Sequence, residues 1–400
     1  MAERLRTGLQ SRVHRFESGP HLQVFINVLQ LKKFNYYIHN SGVAQLVEQA
    51  TVNRWVTGSS PVAGANFMKI FISGIAGFLG SHLADAFINE GHQVVGCDNL
   101  IGGELDNVPP DAEFYQYDCC FRNSMLKITK GCDLVYHTAA TAYEGLSVFS
   151  PHLITQNIVT GSVSLFSAAI ENKVKRIIFC SSMARYGTNE VPFREEFIPT
   201  PQDPYGIAKV AAENILKNLC EVHGVEYVIA VPHNIIGPRQ KYDDPYRNVA
   251  SIMINLMLQN RQPYIYGDGE QKRCFSYIDD DLFCLKEMAT STSVKSQIIN
   301  IGPDEEFITI NTLANKIANQ LKFNLNPKYI KGRPQEVLEA TCSADKARRL
   351  LNYKTKTNLD RGLKKMIDFI KEKGVKKFRY HLDLEIINSK TPKTWKEKLF

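Results

Sequence analysis

Met68-Lys69-Ile70-Phe71-Ile72-Ser73-Gly74-Ile75-Ala76-Gly77-Phe78-Leu79-Gly80-Ser81 is the stretch on which the reading of this chain turns. A short apolar, β-branched run reads as a buried strand, and Ser81 to Gly91 continues as a helix, so the glycines stand in the turn between them. Each has a separate task there. Gly74 permits the tight turn, Gly77 lets backbone approach a pyrophosphate, and Gly80 lets the helix lie close on the strand, while the helix N-terminus offers free N–H groups to the phosphates. Phe78 and Leu79 fall within the same loop and are expected to face the ligand.

A second strand, His92 to Cys97, ends at Asp98, about 20 residues beyond the glycines, where a carboxylate accepts hydrogen bonds from a ribose and repels a 2′-phosphate. No Arg follows in Asp98-Asn99-Leu100-Ile101-Gly102-Gly103. The expected cofactor is therefore NAD, held by Gly74, Gly77, Phe78, Leu79, Gly80, Asp98 and Asn99. Further strands at Asp133 to His137 and Arg176 to Cys180, separated by a helix from Leu153 to Glu171, continue the alternation. The predicted class is α/β, a Rossmann doubly wound parallel sheet with a smaller C-terminal α/β substrate lobe. The expected division is a dinucleotide domain over 68–231, to which later segments return, a substrate lobe mainly over 232–375, and a tail over 376–400.

Composition narrows the function. A chain of 400 residues with 44% apolar content suits one large α/β domain and a smaller lobe. No run of about 18 apolar residues stands out as a membrane span. None of the nine cysteines forms a C-x-x-C pair, so no metal site is expected, and an odd number of thiols without a signal peptide points to a reducing compartment, the cytoplasm. The net charge of +7 is scattered, without the clustered Lys/Arg and aromatics of a nucleic-acid partner. Residues 1–67 hold seven of the Lys/Arg against three acids, show no sustained periodicity, and end in Thr57-Gly58-Ser59-Ser60-Pro61. Val43 to Gln49 through Pro61 resembles the conceptual translation of a bacterial tRNA gene. Residues 1–67 are accordingly expected to be a non-native or disordered extension, with Met68 the true start.

After the strand ending at Cys180 come Ser181-Ser182-Met183-Ala184-Arg185-Tyr186-Gly187, and Pro204-Tyr205-Gly206-Ile207-Ala208-Lys209 opens an apolar-striped helix. Tyr205 and Lys209 share a helical face. An ammonium beside a phenol favours phenolate, so this pair is expected to act as a base, with Ser182 relaying the proton of a substrate hydroxyl.

With those motifs in place the chain resembles the extended short-chain dehydrogenase/reductases that act on nucleotide sugars, and in particular the UDP-glucose/UDP-N-acetylglucosamine 4-epimerases. The resemblance runs from Met68 to about Phe369. It implies that Ser182, Tyr205 and Lys209 are catalytic, and that Asp118, with Cys119, meets the adenine. It places His137 and then Thr138, Ala139 and Ala140 along the cofactor, with Pro232 nearby and Asn157 bracing the central strands. On the substrate side it implies Ser182, Met183, Asn234, Asn248, Arg273, Arg333 and Glu336, the two arginines on the diphosphate and Glu336 on the uridine ribose. A UDP-sugar substrate and a homodimer follow as family expectations, with no nucleic-acid or membrane partner.

Met183-Ala184-Arg185 lacks the acid that dehydratases and decarboxylases of this group add after the catalytic serine. The simplest remaining chemistry is reversible oxidation at sugar C4 through a 4-keto intermediate. Other readings stay open: a keto-sugar reductase, a 3,5-epimerase using His233 as an extra acid, a dehydratase or decarboxylase, or a non-catalytic NAD-binding regulator. Thr141, where many such epimerases carry Lys, and Arg185, in place of a small or apolar residue, are expected to reshape the sugar pocket. The sequence leaves the sugar open among hexose, N-acetylated and uronate forms. In the tail, Phe378, Tyr380, Leu382, Leu384 and Ile386 alternate as in a strand.

Overall fold

Lys69–Ser73 (β1) is buried on both faces, as expected of a central parallel strand: Ile70 and Ile72 enter one core, Phe71 the other, and all three are fully buried. Burial of each such side chain contributes roughly 1.5–3 kcal/mol. The remaining strands of the sheet are β2 (Gln93–Cys97), β3 (Glu113–Tyr115), β4 (Leu134–His137), β5 (Arg176–Cys180), β6 (Glu226–Pro232) and β7 (Gln297–Ile301). These follow in a computed structural model that describes residues 67–400. The expectations for residues 1–67 fall, apart from Phe67, outside the described residues.

All seven strands run parallel, in the order β7-β6-β5-β4-β1-β2-β3. The order turns back at β1, which pairs Phe71 with Val95 of β2 and with Val135 of β4. That reversal opens a crevice at the carboxyl ends of β1 and β4, the place where doubly wound sheets bind ligands. The predicted helix after Cys180 spans Pro204–His223. Its N-cap Asp203 accepts from Gly206 N at 2.9 Å, and Gly224, with φ +69°, ends it in the left-handed conformation.

The predicted Leu153 to Glu171 helix is drawn over Pro151–Glu171, with a wide turn at Gln156–Thr160. By length and a mean hydropathy of 1.4 this run could cross a membrane. It packs as a core helix instead, against Arg122–Ile128 and Pro204–His223, with Leu165, Phe166, Ala168 and Ala169 fully buried.

After β6 the chain builds a second core around Ile254, Leu313 and Leu363, from helices Val249–Leu258, Ile310–Leu321 and Leu359–Lys373. Short strands edge this lobe: Tyr264–Tyr266 pairs with Lys328–Ile330, and Lys272–Cys274 lies between Phe307–Thr309 and Glu339–Ala340. Between them β7 and helix Ile278–Thr290 return to the sheet. Asn66–Phe400 is accordingly one compact unit.

Residues 376–400 depart from expectation. They form no strand; they run irregularly to a short helix, Lys393–Lys396. The alternation is nonetheless real, because Tyr380, Leu382 and Leu384 turn toward a core around Tyr246 and Trp395. What is missing is a ladder partner. Backbone groups of the segment bond instead to side chains and turns, including Leu382 O to the Tyr246 hydroxyl, Asp383 O to Ser150 Oγ and Ile386 N to Phe149 O.

Candidate active site

One cavity of about 430 Å³ runs along the carboxyl ends of β1, β4, β5 and β6 and on between the two cores, a size ordinary for small-molecule sites. At one end Gly74, φ +73°, closes the turn after β1, and a Cβ there would meet Ala139 Cα at 2.8 Å; a Cβ on Gly80 would overlap Gly74 O. Helix Phe78–Asn89 begins here with no side-chain cap and no acid in its first turn. Such an uncapped N-terminus suits an anion. Asp98 accepts from Leu100 N at 2.7 Å and Ala76 N at 3.1 Å, and burial raises its carboxyl although both N–H groups oppose that. Asn99 Nδ2 donates to Asp118 at 2.8 Å, tying the two loops that end this side of the cavity.

The β4 end contributes Thr138, Ala139 and Ala140. His137 does not join them: its ring nitrogens bond Ser73 Oγ at 2.7 Å and Ser162 Oγ at 2.9 Å beneath the sheet edge. Burial and then Lys209 push it down to about 3, so it is neutral. Asn157 makes no bond to the central strands. It sits in the wide turn, lines the cavity, and its buried Nδ2 has no partner. Thr141 Oγ1, also in the wall, is likewise unpartnered. Glycine cradle, cavity-lining carboxylate, bare helix end and orphaned buried polar groups together fit an NAD-shaped ligand.

Ser182, Tyr205 and Lys209 meet in the middle of the cavity. Lys209 Nζ donates to Cys180 O at 2.7 Å and lies 6.0 Å from the centre of the Tyr205 ring. Burial pushes the ammonium down to about 8. The expected acidic tyrosine is not what the protein alone provides. Burial raises the Tyr205 phenol, Glu144 raises it further, and only the Ser182 hydroxyl and Arg247 act noticeably the other way. The physical reason is that a phenolate in a dry site loses hydration, and Lys209 is turned toward the end of β5.

The far end of the cavity holds Asn234, Asn248, Arg273, Arg333 and Glu336. Both asparagines occupy left-handed backbone, φ +44° and +63°, which Asn tolerates better than most residues. Asn248 also caps helix Val249–Leu258. Arg333 Nη2 bonds Glu336 at 2.7 Å and the guanidinium lies 4.8 Å from the Tyr266 ring centre, while its Nε is buried without a partner. Burial alone would raise Glu336, but Arg333 holds it below the usual carboxylate range. Arg273 gives hydrogen bonds from both Nη groups to main-chain carbonyls of Lys272, Val337 and Leu338. Met183, like His137, is an expected site residue outside this cavity; it lines a small void beside it.

Two readings change. Arg185 does not touch the cavity. It is fully buried, its Nε 3.0 Å from the equally buried Glu213, which also takes the Ser181 hydroxyl. His233 is no candidate acid: it lies outside the cavity wall, bonded through Nε2 to Pro303 O at 2.9 Å, with burial lowering its pKa.

Among the wall residues that sequence reading missed, four bear most on the site's chemistry. Glu144 opens the short helix Glu144–Ser147 with its side chain accessible to the cavity, yet deep enough that burial raises its carboxyl despite Arg273 and Arg333. Arg247 lies over the Tyr143 ring at 5.4 Å, and Trp395 and Phe400 arrive from the tail. Only the acid and glycine of Tyr143-Glu144-Gly145, just past the β4 turn, gave a usable signal.

Comparison with known proteins gives a consistent picture. The pattern of the NAD dependent epimerase/dehydratase family matches residues 70–302. A crystal structure of UDP-glucose 4-epimerase from Thermotoga maritima with UDP-glucose is 31% identical, with a TM-score of 0.72, covering 76% of this chain and 99% of that one. A UDP-N-acetylglucosamine 4-epimerase from Methanobrevibacter ruminantium M1, in complex with UDP-N-acetylmuramic acid, is 30% identical with a TM-score of 0.72, covering 78% and 100%. The UDP-glucuronate 4-epimerase of Thermodesulfobacterium geofontis is 26% identical over 75% of this chain and 95% of its own length.

Proposed function

Because the chain belongs to the NAD dependent epimerase/dehydratase family, we propose that it is an NAD-dependent isomerase that inverts a UDP-sugar at C4. The observation that carries this reading is a single cavity in which Ser182, Tyr205 and Lys209 lie between a dinucleotide cradle and an arginine-bearing far end. Bound NAD supplies the hydride acceptor and donor for C4 and a positive charge beside the phenol.

The protein's own groups do the rest. Asp98 accepts the adenosine ribose hydroxyls, and the bare N-terminus of helix Phe78–Asn89 faces the pyrophosphate. Tyr205 takes the proton of the C4 hydroxyl and returns it to the oxygen of the other epimer, while Ser182 holds that oxygen and Lys209 braces the end of β5. Arg333, with an unpartnered Nε, turns toward the diphosphate, Glu336 toward the uridine ribose. Between the two proton transfers the flat 4-keto sugar turns over, and holding the nucleotide at its far end lets it do so without leaving.

The test is to incubate the purified protein with UDP-glucose, UDP-N-acetylglucosamine and UDP-glucuronate, each with NAD, and to separate the products. The proposal requires interconversion of C4 epimers with no net change in the cofactor. Stoichiometric consumption of reduced nicotinamide would make the protein a reductase instead. Glu144 favours one second reading, since a carboxylate beside the sugar could exchange the C–H groups that a 4-keto group acidifies. Deuterium at C3 or C5 after turnover in D2O would support it.

A further inference from the structure

Residues 376–400 lie past the end of the sequence resemblance at about Phe369. Ordering an extended segment costs roughly 1–2 kcal/mol per residue in backbone entropy, and this one gains no strand ladder in return. It is instead fixed by side-chain bonds, two of them to cavity-lining residues, Pro245 and Tyr266, and the others to neighbouring segments. Glu385 accepts from His152 N at 2.9 Å and Leu153 N at 2.8 Å, capping the helix that leads to Asn157. Arg379 Nε bonds the buried Asp243 at 2.8 Å, and Trp395 Nε1 donates to Pro245 O at 3.0 Å. Thr394 bonds the hydroxyl of Tyr266, the ring beneath Arg333.

These anchors deliver Trp395 into the site. The indole is 3% exposed, 5.6 Å from Tyr246 and 6.1 Å from Phe149 between ring centres, and it lines the same cavity as Tyr205. A Cβ on Gly145 would meet Trp395 Cη2 at 3.4 Å and Arg333 Nη1 at 3.2 Å, so indole and guanidinium converge on one spot beside Glu144. Arg333 is thereby boxed by Tyr266, Glu336, Gly145 and the tail, with its buried Nε still lacking an acceptor. Phe400, set against Tyr264 at 5.7 Å, lines the cavity further along.

We propose that segment 376–400 is a specificity-determining wall of the nucleotide-sugar site, in which Trp395 contacts the bound nucleoside diphosphate sugar and holds Arg333 toward its diphosphate. This rests on reading the cavity as a UDP-sugar site. A rigid aromatic wall beside an arginine favours a ligand with a flat or apolar sugar face and an anionic diphosphate, and truncating such a wall removes binding energy without touching the proton-transfer groups.

The test uses the full chain. Its two tryptophans are Trp55 and Trp395, so a Trp55→Phe variant leaves Trp395 as the single indole. UDP and UDP-glucose are expected to change its fluorescence, and to do so equally when Tyr205 is replaced by Phe. Trp395→Ala is expected to raise KM for the nucleotide sugar about tenfold or more with kcat within about threefold and NAD content unchanged, and Trp395→Phe to recover part of the loss. An unchanged KM in folded Trp395→Ala, or an indole indifferent to UDP while the enzyme turns over, would overturn the proposal. A UDP response without any epimerised product supports the wall and counts against the epimerase reading alone.

Discussion

At Tyr205 burial opposes the role proposed for the side chain. In the proposed reaction its phenol must give up a proton, yet burial and Glu144 both hold that proton on. Replacing Tyr205 with Phe removes the proton carrier and little else, so kcat is expected to fall about 10²–10⁴-fold with an unchanged melting temperature; single-turnover rates and a thermal melt check both. Turnover near the wild-type rate would exclude Tyr205 as the base. Glu144 sets the second residue-scale prediction. Because its charge raises the phenol, Glu144→Gln lowers the tyrosine's pKa, and the acidic limb of kcat/KM is expected to move to lower pH. A limb that stays in place would separate Glu144 from the proton transfer. Tyr205 was legible from its spacing to Lys209. Glu144 was not, because its meaning depends on a cavity built by distant segments.

Helix Pro204–His223 shows what one element must do to present that tyrosine. Asp203 caps it through Gly206 N and is pushed up to about 6 by burial, with Glu144 adding to the shift. From its ordinary 3.8 up to about 6 the folded protein holds this proton more tightly than the unfolded chain does. The cap's charge therefore costs stability progressively as pH rises through that window, and the full cost remains above it. Asp203→Asn keeps an oxygen for the cap without the charge, so its melting temperature at pH 7 is expected to equal or exceed wild type. Asp203→Ala loses the cap and about 1 kcal/mol. If both variants melted alike and below wild type, the charge itself would be stabilising. The middle of the helix packs through Glu213 on Arg185, the two buried together. Glu213→Ala leaves a buried cation alone and is expected to cost about 3–5 kcal/mol, read by urea denaturation, whereas Arg185→Met with Glu213→Leu should restore much of it. Arg185 looked from the sequence like a pocket residue; the turn Met183–Arg185 rotates it into the core.

Across the described residues, the sheet, the second core and the tail share boundaries so closely that they form a single compact unit. β7 and helix Ile278–Thr290 return from the region of the second core to the sheet, and residues 376–400 bond to segments beside both. A chain beginning at Met68 is therefore expected to fold alone, melt in one transition, and match the full chain in UDP-sugar turnover. Loss of activity or solubility on that truncation would give residues 1–67 a part in the fold.

The sequence alone determined the strand, glycine turn and helix, the carboxylate at Asp98, and the Ser182, Tyr205 and Lys209 set, because each is written within a few residues where periodicity and local backbone geometry govern. Tertiary structure decided the direction of the Tyr205 shift, the exclusion of His233 and Arg185 from the cavity, and the recruitment of Glu144 and Trp395 into it. Those outcomes depend on which groups lose water together, and segments as far apart as β4 and the tail meet only when the chain has closed on itself.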